Sequence, residues 1–199
     1  MSDLVRRTTE VYDVIASSYD ERTAQPSDVL LSHLERFRTM ADGPVADLGC
    51  GPGRDLPRVG AAVGVDRSEG MLAIAQTRGP VVRGDVRQPP LAPGSLGGIW
   101  SAASLLHVPR PDVPATLRAW HDLLRPGGVL GLSTSIGEEE GWEEMPYGIP
   151  HAHAGPRDRW FVHHPVEQLL ATLAEAGFTI TSTAVRSTHR DWLMVLATA

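Results

Sequence analysis

The chain has 199 residues, with 24 acidic side chains against 18 basic ones, and every basic residue is an arginine. A net charge of −6 with scattered arginines argues against nucleic acid as the main partner. No apolar run is long enough to cross a membrane, no apolar stretch follows Arg6 and Arg7 as in a secretory signal, and a lone Cys50 cannot form an internal disulfide. This length suits one domain, 1–199, and a cytoplasmic location is expected.

In chain order, two helices are predicted at 5–18 and 27–40, the second with Val29, Leu30, Leu34 and Phe37 at helical spacing. Strands follow at 44–48, 61–65 and 80–83, each running into a glycine or an aspartate, then at 98–102 and 129–135. Between them, Ser68 is a fitting N-cap for a helix carrying Met71, Leu72 and Ile74. A helix at 111–124 starts on proline and stops at Arg125-Pro126-Gly127-Gly128. A last helix, 165–176, ends at Gly177, and 178–186 with 192–198 read as a hairpin. Alternating strands and helices mean a parallel sheet covered on both faces. The expected fold is therefore α/β: a doubly wound, seven-stranded, mostly parallel, Rossmann-like sheet. It has helices on both faces, an antiparallel C-terminal hairpin at the edge and a helical cap over 1–40.

The stretch 137–164 reads as one long irregular loop. It carries Trp142, Tyr147, His151, His153, Trp160, Phe161, His163 and His164, too aromatic a set for a disordered linker. The histidines are better suited to lining a pocket than to holding zinc, because no cysteine stands near them. No metal is expected.

The segment Asp47-Leu48-Gly49-Cys50-Gly51-Pro52-Gly53 runs from strand to turn. Its alternate glycines let backbone approach a ligand closely, and ligands in open α/β sheets sit at the carboxyl ends of the strands. The turn is not G-x-G-x-x-G, and Asp47 would repel a pyrophosphate, which disfavours a nicotinamide oxidoreductase. A ligand with an amino group and a sulfonium suits it better. Asp66 and Asp85 end the next two strands, where carboxylates can accept ribose hydroxyls and an adenine amino group.

Together with Gly64-Val65-Asp66-Arg67-Ser68, Met71-Leu72, Gly84-Asp85 and Leu124-Arg125-Pro126-Gly127-Gly128, this segment resembles the class I S-adenosylmethionine (SAM) dependent methyltransferase family. Tyr12-Asp13 and Tyr19-Asp20 resemble that family's N-terminal cap. Two departures stand out. Gly97-Gly98 replaces the usual Phe-Asp, with an effect expected on packing, and the stretch between Gly53 and Ala61 leaves room only for a stubby helix.

The resemblance implies that the cofactor is SAM and the product S-adenosylhomocysteine. Gly49, Cys50, Gly51 and Gly53 would carry its methionyl and ribose parts, with Asp47 facing the amino group. Asp66 would hold the ribose diol. Asp85 and the Val86 amide would read adenine, with Arg67 or Met71 against the ring. Ser101 and Ala102 would offer backbone carbonyls to the amino group, and Tyr19 would close over the site. His107, just after the fourth strand, is the candidate general base for an alcohol or amine acceptor. Tyr12, Trp142, Tyr147, His151, His153, Trp160 and His163 are expected on the acceptor side, with 137–164 as an insertion that covers it.

The implied partner is a small organic acceptor of the kind found in secondary metabolism, with no membrane partner, and the chain is expected as a monomer or homodimer. A non-catalytic SAM-binding module, or a SAM fold recruited to rearrangement or cyclisation, are the alternatives left open.

Overall fold

A computed structural model describes residues 3–144, 155–188 and 190–199. Its first helix, α1 (Asp3–Thr23), is longer at both ends than its apolar periodicity suggests. Asp3 in the first turn and Arg22 in the last complement the helix dipole, and Arg6 bonds Asp3 and Glu10 on the outer face. α2 (Asp28–Met40) starts at Ser27, whose side chain accepts from the Leu30 amide, so its first turn is capped.

The sheet comprises β1 (Val45–Leu48), β2 (Val63–Asp66), β3 (Val81–Arg83), β4 (Leu96–Ala102), β5 (Leu124–Ser135), β8 (Thr179–Ser187) and β9 (Asp191–Thr198). Their order is β3-β2-β1-β4-β5-β9-β8. The first five are parallel, β9 runs antiparallel between β5 and β8, and β8 forms the outer edge. Helices α3 (Leu56–Val59), α4 (Glu69–Ala75), α5 (Val113–Leu123) and α6 (Val166–Glu175) make the crossovers. α3 has only four residues, the stubby helix expected.

Alternation along the central strands divides the core. Ile99, Leu130, Leu132, Val195 and Ala197 point to the face covered by α5 and α6, with Leu117, Trp120, Leu169 and Leu173. Trp100, Val129 and Leu196 point the other way, onto Leu30, Leu34 and Phe37 of α2. The Gly97-Gly98 pair serves that second face. A Cβ at Gly97 would sit 1.5 Å from the Asp42 carbonyl oxygen, and one at Gly98 would press on Phe37 and Ala41. The packing effect expected there is therefore a close approach of the chain after α2 to β4.

The stretch from 137 to 164 contains more structure than its sequence suggests. It holds a two-stranded antiparallel hairpin, β6 (Glu140–Glu144) with β7 (Asp158–Val162). The alternation was hidden because both faces of this hairpin carry charged and aromatic residues. The Leu124-Arg125-Pro126-Gly127-Gly128 stop also differs: β5 begins at Leu124 and passes through this stretch as an irregularity in its pairing with β4. No described helix is long and apolar enough to cross a membrane.

Candidate active site

A cleft of about 1050 Å³, part of it open to solvent, lies at the carboxyl ends of β1 to β4, roofed by α1. Its floor is the glycine-rich turn. The Gly49 and Cys50 amides both donate to the Val65 carbonyl at 2.7 and 3.1 Å, the Gly51 amide donates to Asp66 Oδ2 at 2.9 Å, and the Gly53 amide donates to the Cys50 carbonyl at 2.9 Å. Pro52 has no amide hydrogen. Every N–H of the turn is therefore used inside the protein. Phosphate cradles work by aiming such donors at the ligand, and this turn has none to offer.

Two glycines of the turn do different jobs. Gly49 (φ +77°) lies so close to the turn after β4 that a Cβ would fall 2.2 Å from Ser104 Cβ. Gly53 (φ +81°) is not on the cleft wall; a Cβ there would crowd Leu56 and Ala75, so it packs the turn onto α3 and α4. Ser101 is likewise behind the wall, fully buried, its hydroxyl donating to the Leu48 carbonyl at 3.1 Å beside that of Ser104 at 3.0 Å. The wall there is instead Ala102, Ala103 and Ser104. Ala103 holds φ +59°, a strained backbone for a residue with a Cβ and one frequently found at functional sites.

The other expected floor residues converge. Asp47, Cys50, Gly51, Asp66, Arg67, Met71, Asp85 and Val86 all line the cleft. Asp47 is 3% exposed, and burial first, then the Asp55 charge, push its carboxyl well above the ordinary range. Burial also raises Asp66, against the pull of the Ser68 and Gly51 amides that it accepts at 2.9 Å each. Both carboxyls would be favoured as anions by a cationic or hydrogen-bond-donating ligand.

Asp85 differs from its expected role. Its carboxylate already takes the Arg67 guanidinium at 2.6 Å and Arg87 at 2.8 Å, plus the Arg87 amide at 3.0 Å. Burial alone would raise Asp85, but the Arg87 and Arg67 contacts outweigh it and hold it below the ordinary carboxylate value. The adenine amino group would meet an oxygen pair already engaged, and Arg67 is tied by that pair rather than loose for stacking.

The roof was the less expected half. Val5, Thr8, Thr9, Tyr12, Tyr19 and Thr23 of α1 face the cleft at helical spacing. Only Tyr12 and Tyr19 were foreseen, although the recurrence at 5, 8, 12, 19 and 23 was in the sequence. α1 is fastened to the floor by Asp13, which accepts from Ser68 Oγ at 2.6 Å and the Gly70 amide at 3.0 Å. Arg78 adds a second tie, bonding Asp20 at 2.6 Å and the Pro52 carbonyl at 2.9 Å. Ser68, the expected cap of α4, itself accepts from the Met71 amide.

His107 is on the wall, but both ring nitrogens are occupied. Nδ1 is 2.6 Å from the Trp160 carbonyl and Nε2 is 2.7 Å from the Tyr12 hydroxyl. A carbonyl only accepts, so Nδ1 carries the proton and Nε2 accepts from Tyr12. Burial, then the nearby Arg159 charge, depress the imidazole to about 3. The ring is a neutral hydrogen-bonding link, which departs from the free base expected of it.

The β6–β7 hairpin lies on the same carboxyl edge, behind this roof rather than on the cleft wall. Arg7 grips Asp158 through Nε at 2.8 Å and stacks 4.2 Å over Trp142, and the Trp160 amide donates to Thr8 Oγ1 at 2.9 Å. Trp142, Trp160 and His163 therefore do not touch the cleft. The two tryptophans pack edge to face at 5.5 Å, and His163 bridges Ser135 at 3.0 Å and Glu143 at 2.7 Å. Tyr147, His151 and His153 lie outside the described residues. Among the described residues no three metal-ligating side chains are grouped to hold an ion.

Residues 45–128 match the family described as a methyltransferase domain. A malonyl-[acyl-carrier protein] O-methyltransferase of Dechloromonas aromatica (strain RCB) is 31% identical over 134 residues, 64% of this chain and 50% of that protein. The chain spans about half the length of the curated relatives it matches. The crystal structure of an S-adenosylmethionine dependent methyltransferase from Mesorhizobium loti superposes with a TM-score of 0.61 at 25% identity, over 83% of this chain and 96% of that one. The complex of DhpI with S-adenosylhomocysteine shares the fold, with a TM-score of 0.75 at 22% identity over 98% and 96% of the two chains. Residues 45–128 thus carry a methyltransferase-domain match, and the chain shares the fold of S-adenosylmethionine dependent methyltransferases.

Proposed function

We propose that this chain transfers the methyl group of SAM to a small organic acceptor at oxygen or nitrogen. The observation that supports this reading is the floor: a glycine turn whose amides are all used internally, next to the buried Asp47 and the half-buried Asp66. Such a floor repels phosphate and favours a ligand that brings a positive charge and hydrogen-bond donors. In this reading Asp66 takes the ribose hydroxyls with the lone pairs left over from Gly51 and Ser68. Asp47 and the carbonyls around Gly49 face the amino group, while Met71 and the Val86 amide serve adenine. α1 acts as the cap, with Tyr19 over the donor and Tyr12 and His107 facing the acceptor. The chemistry that SAM supplies is a methyl on a positive sulfur. The chain's own task is to hold the acceptor in line and keep water out, orientation of a kind worth ~7–11 kcal/mol of barrier.

Calorimetry decides it. S-adenosylhomocysteine and SAM should bind and NAD should not. Tight NAD binding without S-adenosylhomocysteine binding would overturn the assignment.

A further inference from the structure

The cleft wall carries two opposite charges that are not bonded to one another, one on each side of the glycine turn. Asp47 precedes the turn and Arg54 follows it, and both line the cleft. They are close enough for each charge to act on the other, yet Asp47 accepts no hydrogen bond from any described residue. A buried carboxyl without a donor is costly as an anion, so it is suited to a cation brought by a ligand.

Arg54 is held ready for the opposite kind of group. Asp55 grips its guanidinium side-on, with Nε donating to Oδ1 at 2.7 Å and Nη2 to Oδ2 at 2.6 Å. Asp55 is buried and is itself fixed by the buried Trp100, whose Nε1 donates to Oδ2 at 3.2 Å. A core ring thus orients a carboxylate, and that carboxylate orients the guanidinium. A guanidinium has five hydrogens to donate. Asp55 takes two, and the Thr23 carbonyl at the end of α1 takes one over a long 3.4 Å. One hydrogen on Nη1 and one on Nη2 remain without a protein partner among the described residues. Two donors on one rigid plane match the two oxygens of a carboxylate.

We infer that Arg54 is the anchor for the carboxylate of the methyl donor, and that the chain selects donors by their intact α-amino acid end. This rests on the methyl-transfer reading above. In an α-amino acid the ammonium and the carboxylate sit on one carbon, so Asp47 and Arg54, on the two sides of one turn, can each take one of them. A phosphate would also suit Arg54, but it brings no cation for Asp47 and would be repelled by it. A thioether or sulfonium nucleoside that keeps the amine and lacks the carboxylate satisfies Asp47 and leaves the Arg54 hydrogens unused. Such nucleosides are discriminated against.

The test is calorimetry on the full chain with three ligands: S-adenosylhomocysteine, its carboxamide, and its decarboxylated form, 5′-deoxy-5′-(3-aminopropylthio)adenosine. S-adenosylhomocysteine should bind tighter than either of the others by about tenfold or more, the worth of one hydrogen bond to a charged group. Arg54→Gln should bring S-adenosylhomocysteine down to the level of the decarboxylated form, whose own affinity should stay nearly the same. Arg54→Lys should keep part of the preference. If none of the three ligands binds, the donor-site reading falls and this inference with it. If S-adenosylhomocysteine binds no tighter than the other two, the carboxylate inference alone is overturned. It is also overturned if the preference survives in a folded Arg54→Gln, since Arg54 then only ties Thr23 to Asp55. Should the glutamine variant fail to fold, the three affinities of the parent and the lysine variant still decide.

Discussion

The floor and the roof of the cleft are built on opposite plans. The floor is made of backbone: its amides are locked into β2 and into the turn itself, with Asp47 buried and Asp66 held by the Gly51 and Ser68 amides. The roof is made of side chains, a chain of contacts from Arg159 through Tyr12 and His107 to the Trp160 carbonyl. A backbone site is set by local sequence, whereas the roof exists only when α1, the turn after β4 and β7 meet. The floor should therefore fail through sterics and lost charge, and the roof through undocking and protonation.

The largest effect is expected from Gly49→Val. Its φ of +77° is costly for a branched residue, and its Cβ would overlap Ser104 at 2.2 Å. Overpacking and left-handed strain together should cost ~3–5 kcal/mol. A urea titration should show that loss, and calorimetry should show no S-adenosylhomocysteine binding. Retained binding would mean the turn is not the floor of the donor site. Next comes Asp66→Ala, which should weaken S-adenosylhomocysteine by about 1.5–3 kcal/mol, the usual range for a hydrogen bond to a charged group. An unchanged affinity in a folded variant would remove Asp66 from the ribose site.

The same contrast explains what could be read from sequence. The succession of strands and helices, the stubby helix after the glycine turn and the acids Asp47 and Asp66 follow from local patterns: apolar runs that end in Gly or Asp, and Ser68 as a cap. Gly53 and Ser101 were placed on the floor because they sit in the same motifs, yet their contacts face inward, to Ala75 and to the Leu48 carbonyl. The roof was less legible because its contacts are distant in sequence. Nothing in residues near His107 shows that Tyr12 and Trp160 will occupy its two nitrogens. Trp142 and Trp160 read as pocket aromatics, but a hairpin turned them onto Arg7 and onto each other. Asp85 needed knowledge of Arg87, two residues on, and of where its guanidinium points.

Acid should separate the two halves. His107 is depressed to about 3 and the buried His33 and His164 to about 4, mainly by burial. In the unfolded chain they would titrate near 6.5. Their stabilising effect is thus complete above 6.5 and is lost as pH falls from there toward the folded values. Each should add about 1.4 kcal/mol per pH unit to the slope of stability in that window. Asp47 acts in the reverse sense: with its folded value raised, stability falls as pH rises through that value. Urea titrations from pH 8 to 4 should show a shallower acid loss in His107→Gln. Asp47→Asn should be more stable than the parent at pH 8 and bind S-adenosylhomocysteine poorly. Equal acid slopes for parent and His107→Gln would place the His107 proton elsewhere than the geometry does.

The smallest effect concerns the seam between the halves. Asp13 reaches from α1 across to α4, where Oδ1 accepts both the Ser68 hydroxyl and the Gly70 amide. The approach is tight, since a Cβ on Gly70 would meet the Asp13 carbonyl oxygen at 2.5 Å. Asp13 therefore does for α4 what an N-cap does, but from another helix. Asp13→Ala should cost about 1 kcal/mol, as lost caps do. Arg78–Asp20, the apolar contact of Val11, Ile15 and Ala16 with Met71, and the hairpin docking on Thr8 all remain, so α1 should stay helical and mostly docked. Loosening one of several ties on a cover speeds its opening more than it changes the floor beneath. Stopped-flow measurement should thus show S-adenosylhomocysteine leaving several-fold faster, with little change in the association rate. If dissociation is unchanged while stability falls by the same ~1 kcal/mol, Asp13 only caps α4, and the roof opens by moving the hairpin or the turn after β4 instead of α1.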